Sequence, residues 1–262
     1  MANQLVLLDT LRIFLCTLIL VYSSYVDLKT REVTNWIWVI FAPIGAVLNV
    51  YEQLYIGYAN PVFGILIPIL LSAGLGVAFF YAGLYGGADA KAFIVLAIIA
   101  PYHPVLMRPI LGVTSPFFPL TLFANSAISA GLFALALLVR NLVWRTGHKG
   151  PIFEGLETEP AWKKAFALLS CIKVDSSRLR GPPFQYPAEQ PTNSQRRIVL
   201  LPDTNDDEAA SETLRKLTQD LGLKEVWVSP TLPFIVFISL CFLISILFGD
   251  TIFWILFQIL GR

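Results

Sequence analysis

The strongest constraint on this chain is its succession of apolar runs close to the length that crosses a lipid bilayer. A helix needs about 20 apolar residues to traverse the hydrocarbon core. Runs of that order occupy residues 5–26, 33–50, 61–81, 119–143 and 232–248, and a shorter one begins at residue 88. Composition agrees: 56% of the 262 residues are hydrophobic and 14% are charged, against roughly 25% charged in soluble domains. The formal net charge of +1 gives no sign of a nucleic-acid partner. Residues 1–4 lack the basic start of a secretory signal, so the first run reads as a retained span.

Six spans are expected: 5–26, 33–50, 61–81, a short fourth from residue 88, 119–143 and 232–248. The fourth stays apolar only to Ala100, and Pro101 and Pro104 bend or end it. Gly249 and Asp250 break the last helix. The remaining residues 251–260 are too short to cross again, and are expected along the interface or packed back on the bundle. Asp9 and Arg12 lie one turn apart on the first span and can pair.

Charge placement orients the spans. Lys29 and Arg31 follow the first span and Lys91 lies at the start of the fourth. Thirteen further basic residues fall between Arg140 and Ser229, so sixteen of the 19 Lys and Arg belong to connections on one side. Basic connections are cytoplasmic. The expected arrangement is an all-α, multi-pass protein of the cell membrane with both termini outside. Residues 1–143 form a membrane domain and 144–230 a small α/β cytoplasmic domain inserted before the last helix. Residues 231–262 hold the last span and tail. Within the polar domain the prolines at 182, 183, 187 and 191 suggest an extended linker over 180–193. Residues 197–201, 206–221 and 225–228 read as a strand–helix–strand unit. The acidic run Asp206-Asp207-Glu208 opens that helix and complements its dipole.

Two carboxylates stand out. Asp27 ends the first span and Asp89 begins the fourth, both on the expected cytoplasmic side. Charges beside hydrocarbon are costly and tend to be functional. The stretch from Asp89 to Pro101 covers about 18 Å as helix, against a core of about 30 Å. Asp89 therefore points to a hydrated pocket. Gly86 and Gly87 would allow a tight turn and a close substrate approach. Two carboxylates sharing one site hold one proton between them, so one can deprotonate water while the other polarises a scissile carbonyl. Each aspartate alone also has a structural reading, Asp27 as a boundary marker and Asp89 as a helix cap. Lys91 reads as a substrate contact or, more simply, as a snorkelling interfacial cation. Trp36, Trp38, Tyr22 and Tyr25 fit an interfacial aromatic belt.

The segment Tyr85-Gly86-Gly87-Ala88-Asp89-Ala90-Lys91 resembles the GxGDxK motif of the GxGD-type aspartyl membrane proteases. The stretch from Asp27 to Trp36 resembles the region after the first span of prepilin peptidases. Trp227-Val228-Ser229-Pro230, with Pro233-Phe234, is similar to the entry into the last span in the archaeal branch. This resemblance to archaeal prepilin and preflagellin (archaellin) signal peptidases implies six spans, with Asp27 and Asp89 matching the catalytic pair. It implies cleavage of class III signal peptides at the cytoplasmic face, after a short basic leader. The substrates would be prepilin-like or preflagellin proteins. Ala88 stands where the family has its second glycine, a change tolerated if the backbone there is helical. The four-cysteine domain of many bacterial relatives is missing, so peptidase activity without N-methylation is inferred.

No cofactor is implied, and no CxxC pair is present. His103 and His148 fall on opposite sides of the expected topology, so no metal site shared by the two histidines is expected. The rival reading is a proton- or ion-coupled transporter using the same two carboxylates, with the glycine-rich break as an unwound helix.

Overall fold

The computed structural model describes residues 2–83, 85–148, 150–192, 195–204 and 206–261. Leu84 in the glycine-rich break, Asn193 at the end of the proline-rich stretch and Arg262 lie outside the described residues. The chain divides into two units, residues 1–130 with 233–262, and residues 131–232.

The first unit is a helical bundle of α1 (Ala2–Thr30), α2 (Asn35–Tyr55), α3 (Ile67–Tyr81, entered through a π-helical turn Pro61–Leu66) and α4 (Gly87–Ile99), with the first part of α5 (Phe118–Gly147) and with α8 (Phe234–Leu247) and α9 (Thr251–Ile259). Among the described residues four helices are long and apolar enough to span a membrane, those at 3–30, 35–55, 61–81 and 118–147. The pair α8 and α9, bent by 59° at Gly249-Asp250, makes a fifth if it is one broken span. The expected fourth span is not among them: α4 has 13 residues, about 20 Å of helix against a hydrocarbon core of about 30 Å. By length and composition the described helices thus account for four to five spans, and the count of six is not confirmed.

What α4 lacks in length it makes up in burial. Ala90, Ala92, Phe93, Val95, Leu96, Ala97 and Ile99 are all buried, so the helix is apolar around its whole circumference. Such a helix belongs in the centre of a bundle. Lipid tails are as apolar as leucine, so close packing rather than hydrophobic transfer must hold helices to one another in a membrane. Two glycines provide it. A Cβ on Gly45 of α2 would come within 2.7 Å of the Ile99 side chain, and one on Gly76 of α3 within 3.3 Å of the Ala90 carbonyl.

Beyond α4 the chain runs without regular helix to Ser115, yet Ala100, Pro101, Tyr102, Pro104 and Ser115 are buried. Irregular backbone is tolerated at membrane depth only where protein or water satisfies its polar groups. Here protein does so. The Val105 N–H donates to the Asp9 carboxylate at 2.6 Å. The N–H groups of Ile110 and Leu111 reach the carbonyls of Leu247 and Phe248, and the Asp250 N–H reaches the Val113 carbonyl. The break between α8 and α9 is therefore the dock for this segment. Asn125 of α5 completes it, accepting from Thr251 N–H and donating to the Gly249 carbonyl. Gly249 sits at φ +92°, and a Cβ there would lie 2.3 Å from the Val113 carbonyl oxygen. Gly249→Ala is expected to destabilise the protein by roughly 2–4 kcal/mol, from left-handed strain and overpacking together. Thermal unfolding in detergent checks this, and an unchanged midpoint would mean the segment yields freely.

Asp9 and Arg12 do not pair as their spacing suggested. Asp9 is spent on Val105, while Arg12 donates to Asn49 at 2.8 Å and lies 3.6 Å from Glu52, both on α2. Asn49 passes the connection on, donating to the Ile98 carbonyl at the open end of α4. Glu52 also accepts from the Ala59 N–H. The aromatic belt needs a correction too. Trp36, Tyr22 and Tyr25 are exposed, but Trp38 is 5% exposed and packs in the main core. Trp36 and Trp38 differ because two residues on a helix are about 200° apart.

The second unit is built around β5 (Glu225–Pro230), the middle strand of an antiparallel sheet in the order β1 (Ile172–Asp175), β5, β2 (Gln185–Pro187). Successive side chains on a strand face opposite ways. Val226 and Val228 accordingly join Leu137, Ile172, Val174, Leu214 and Leu217 in one cluster, while Trp227 joins Leu156, Ala167, Cys171, Ala188 and Ile198 in another. The helices α6 (Ala161–Ser170) and α7 (Asp207–Arg215) supply parts of these two layers. The simple strand–helix–strand expectation is corrected. The strand at 197–201 is β4 (Gln195–Ile198), and it pairs with β3 (Glu189–Thr192) in a separate hairpin, not with β5. The proline-rich stretch is no linker, since it contains β2 and β3. Both are strands at the edge of their sheets, where a missing N–H costs least. Asp206 caps α7, accepting from the Ala209 N–H at 2.8 Å. Buried Glu189 holds the layers together, accepting from Trp227 N–H and pairing with Arg196 at 2.8 Å. Its burial pushes its carboxyl above the ordinary range despite that arginine.

Candidate active site

The end of α1 is where the first motif takes shape. Arg31 adopts φ +60°, and its N–H returns to the Asp27 carbonyl at 3.0 Å. This left-handed residue ends the helix. The Arg31 guanidinium acts electrostatically on the Asp27 carboxylate, and the backbone N–H of Ile235 faces the same group. Ile235 lies in the first turn of α8, whose N–H groups have no partner within the helix. Asp27 thus sits against a helix N-terminus, where negative charge is stabilised. It is 8% exposed, and its Oδ2 has no hydrogen-bond partner among the described residues.

The second motif forms at the start of α4. Asp89 stands in the first helical turn and its Oδ2 accepts from the Gly86 N–H at 2.9 Å. A Cβ on Gly86 would approach that oxygen to 3.2 Å, so a glycine leaves the carboxylate room. The tight turn itself is made at Gly83, with φ +70°, rather than at Gly86, whose φ is −72°. Gly87 opens the helix. Ala88 is its second residue, with helical backbone, so its methyl meets the condition under which a side chain replaces the family's glycine. Asp89 is 9% exposed. Its structural role as a cap is real, but it uses one oxygen.

The two segments meet. The Asp27 charge is felt at Asp89, and Lys91 Nζ donates to Asn35 Oδ1 at 2.7 Å. Lys91 therefore does more than snorkel: it ties the start of α4 to the start of α2, just beyond Asp27. No hydrogen bond joins the two carboxylates to each other among the described residues. Tyr85, immediately before the glycines, stacks on Phe93 at 5.6 Å and packs against Phe79 at 5.2 Å and Phe234 at 4.8 Å.

Sequence reasoning singled out Asp27, Asp89, Gly86, Gly87, Ala88 and Lys91, and the structure gathers all of them in one unit. It missed Asn35, the Ile235 N–H and the part played by Arg31. Nothing in spacing points to Ile235, which is more than 200 residues from Asp27. Asn35 lay within the recognised stretch but has no charge to draw attention.

A family model described as the type IV leader peptidase family matches residues 14–135. A second, described as the archaeal peptidase A24 C-terminus type II, matches residues 163–251. Curated relatives align over nearly their whole length. The preflagellin peptidase of Methanococcus voltae is 26% identical over 238 residues, 89% of this chain and 93% of that protein. That of Methanococcus maripaludis is 25% identical over 250 residues, again 89% and 93%. That of Methanocaldococcus jannaschii is 23% identical over 254 residues, 92% and 95%. The apolar bundle and these matches define a membrane-bound peptidase, a hydrolase. The chain is similar to the type IV leader peptidase family over residues 14–135 and to the archaeal form of that peptidase C-terminus over residues 163–251.

Proposed function

We propose that the chain removes class III signal peptides from preflagellin or prepilin-like precursors, using Asp27 and Asp89 as a dyad at the cytoplasmic face of the membrane. The carrying observation is the meeting of two motifs 62 positions apart, with both carboxylates largely buried and within electrostatic reach of each other. The substrate class comes from the relatives, which are named preflagellin peptidases.

In this reading the dyad works as a pair that shares one proton. The ionised carboxylate takes a proton from water as the water oxygen attacks the scissile carbonyl carbon. The protonated carboxyl donates to the carbonyl oxygen, giving a neutral tetrahedral diol. Collapse breaks the C–N bond, with a proton passing to the leaving amine. Lys91 holds α4 to α2 through Asn35 and so sets how Asp89 faces Asp27. Carboxylates with no hydrogen bond between them among the described residues fit a site that tightens when substrate enters, as unliganded catalytic geometry often does.

The test is direct. Membranes carrying the protein are mixed with a panel of tagged archaellin and prepilin-like precursors. Shortening by the length of the leader is expected for at least one; intact precursors throughout would remove the proposal. The face is tested separately. In this reading α4 and the segment after it complete a crossing, so that Ser194, outside the described residues, faces the cytoplasm and Asn60 and Thr114 face outward. An impermeant thiol reagent on intact cells is expected to label Cys at 60 or 114 and spare Cys at 194. Labelling at 194 would reverse the orientation.

A further inference from the structure

The second unit holds a cluster that the peptidase reading leaves unused. A ring nitrogen of His148, an Asp175 carboxylate oxygen and a Glu225 carboxylate oxygen all lie within 4.8 Å of one another. Sheet register explains the two acids: Asp175 of β1 is the direct cross-strand partner of Glu225 of β5. Like charges placed directly opposite in a sheet are destabilising, so this pair calls for positive charge between its oxygens.

The histidine is aimed at them. Its Nδ1 lies 2.9 Å from the Trp144 carbonyl. A carbonyl can only accept, so Nδ1 carries a proton, and in the neutral ring Nε2 presents its lone pair. This backbone-anchored tautomer is the usual arrangement of a metal-binding imidazole. The ring is also stacked on Trp144, with centroids 3.9 Å apart and planes at 9°. Orientation is thus fixed twice, and Nε2 stands 3.5 Å from Glu225 Oε1.

We propose that His148, Asp175 and Glu225 bind one divalent transition-metal ion of the zinc class. One imidazole nitrogen and two carboxylate oxygens form a ligand set suited to zinc, with water in the fourth position. Zinc–ligand bonds of about 2.0–2.2 Å put tetrahedral ligands roughly 3.3–3.6 Å apart. His148 and Glu225 are already at that separation, and Asp175, at 42% exposure, can close the remainder by a rotamer adjustment. Two cations face the same acids. Lys173 Nζ is 3.3 Å from Glu225 Oε2 and sits over the Trp144 ring, and Arg178 Nε is 4.0 Å from Asp175 Oδ2. Lys173 takes the Glu225 oxygen other than the one that faces His148. Both cations orient the ligands and also weaken the site, because they oppose an incoming cation. The ion would tie the end of α5 to the β1–β5 pair.

The experiment uses the full chain in detergent, stripped by chelator and titrated at pH 7.5 with Zn²⁺ by calorimetry and with Co²⁺ by visible absorption. One equivalent of Zn²⁺ is expected to bind, and Co²⁺ to give d–d bands of low-symmetry four-coordination. His148→Ala and Asp175→Asn are each expected to weaken binding at least about tenfold, the scale on which even supporting residues act. His148 is exposed and Asp175 half-buried, and Asp175→Asn keeps the shape of the side chain, so neither change threatens folding. Lys173→Gln removes an opposing charge about 5 Å away and is expected to tighten binding by about threefold to tenfold. Melting temperature is expected to rise with Zn²⁺ in the parent and not in His148→Ala. Absence of saturable binding, or binding that His148→Ala leaves unchanged, overturns the site. The readouts are independent of precursor cleavage, so the site and the proposed peptidase mechanism can fail separately.

Discussion

Asp27→Asn and Asp89→Asn are each expected to lower precursor cleavage by about 10⁴-fold or more, the scale on which an essential group of a catalytic unit acts. The amide is informative because it keeps the shape and a hydrogen-bond acceptor while losing the charge and the proton. At Asp89 it separates two roles. Asn can still accept from the Gly86 N–H that Asp89 now holds at 2.9 Å, so a residue needed only as a helix cap would be replaced at little cost. The expected result is an Asp89→Asn protein that inserts and melts like the parent and does not cut. Turnover near the parental rate in either variant, with normal folding, would end the two-aspartate reading. The double variant is expected to be no worse than either single one, because the carboxylates act as one unit.

The largest structural effect is expected at Glu52. It is fully buried 3.6 Å from Arg12, itself 2% exposed, and Arg12 Nε and Nη1 have no hydrogen-bond acceptor among the described residues. Removing one partner of a buried pair strands the other charge, at about 3–5 kcal/mol. Glu52→Ala is therefore expected to lose most of its folded population in detergent at moderate temperature. The control is Arg12→Met with Glu52→Leu, which removes both charges and is expected to recover more than half of the lost stability. If the single change costs under about 1 kcal/mol, Arg12 is neutralised by another group, and Asp9 is the first to examine. Because Asn49 links Arg12 to the Ile98 carbonyl, the same lesion is also expected to loosen the buried end of α4.

Much of the membrane unit was legible because its signals are local. A bilayer imposes a length and a polarity on each segment separately, and α1, α2, α3 and α5 show both. The short reach of α4 was visible in the distance from Asp89 to Pro101, but its consequence was not. A central helix clasped through Gly45 and Gly76, with the chain beyond it paired to the α8–α9 break, depends on contacts between residues far apart in sequence. The aspartates of the site were legible for the same local reason: a charge beside apolar residues stands out. Asn35 and Ile235 did not stand out, since an uncharged side chain and a backbone N–H look ordinary until another segment is brought to them.

The polar unit shows the converse. Its short strands carry little periodic signal, and two of the four prolines that suggested a linker, Pro187 and Pro191, lie on strands at sheet edges. The pairing of β4 with β3 and of β1 with β5 was decided by which hydrophobic faces could be buried together. The sequence by itself determined where the chain must avoid water and which two carboxylates sit beside those regions, because transfer of a segment between water and lipid depends on that segment's own composition. Tertiary structure alone decided which groups face those carboxylates, how a thirteen-residue helix is held at the centre, and that His148 meets Asp175 and Glu225. Those outcomes depend on distances between segments, and a one-dimensional pattern carries no distances.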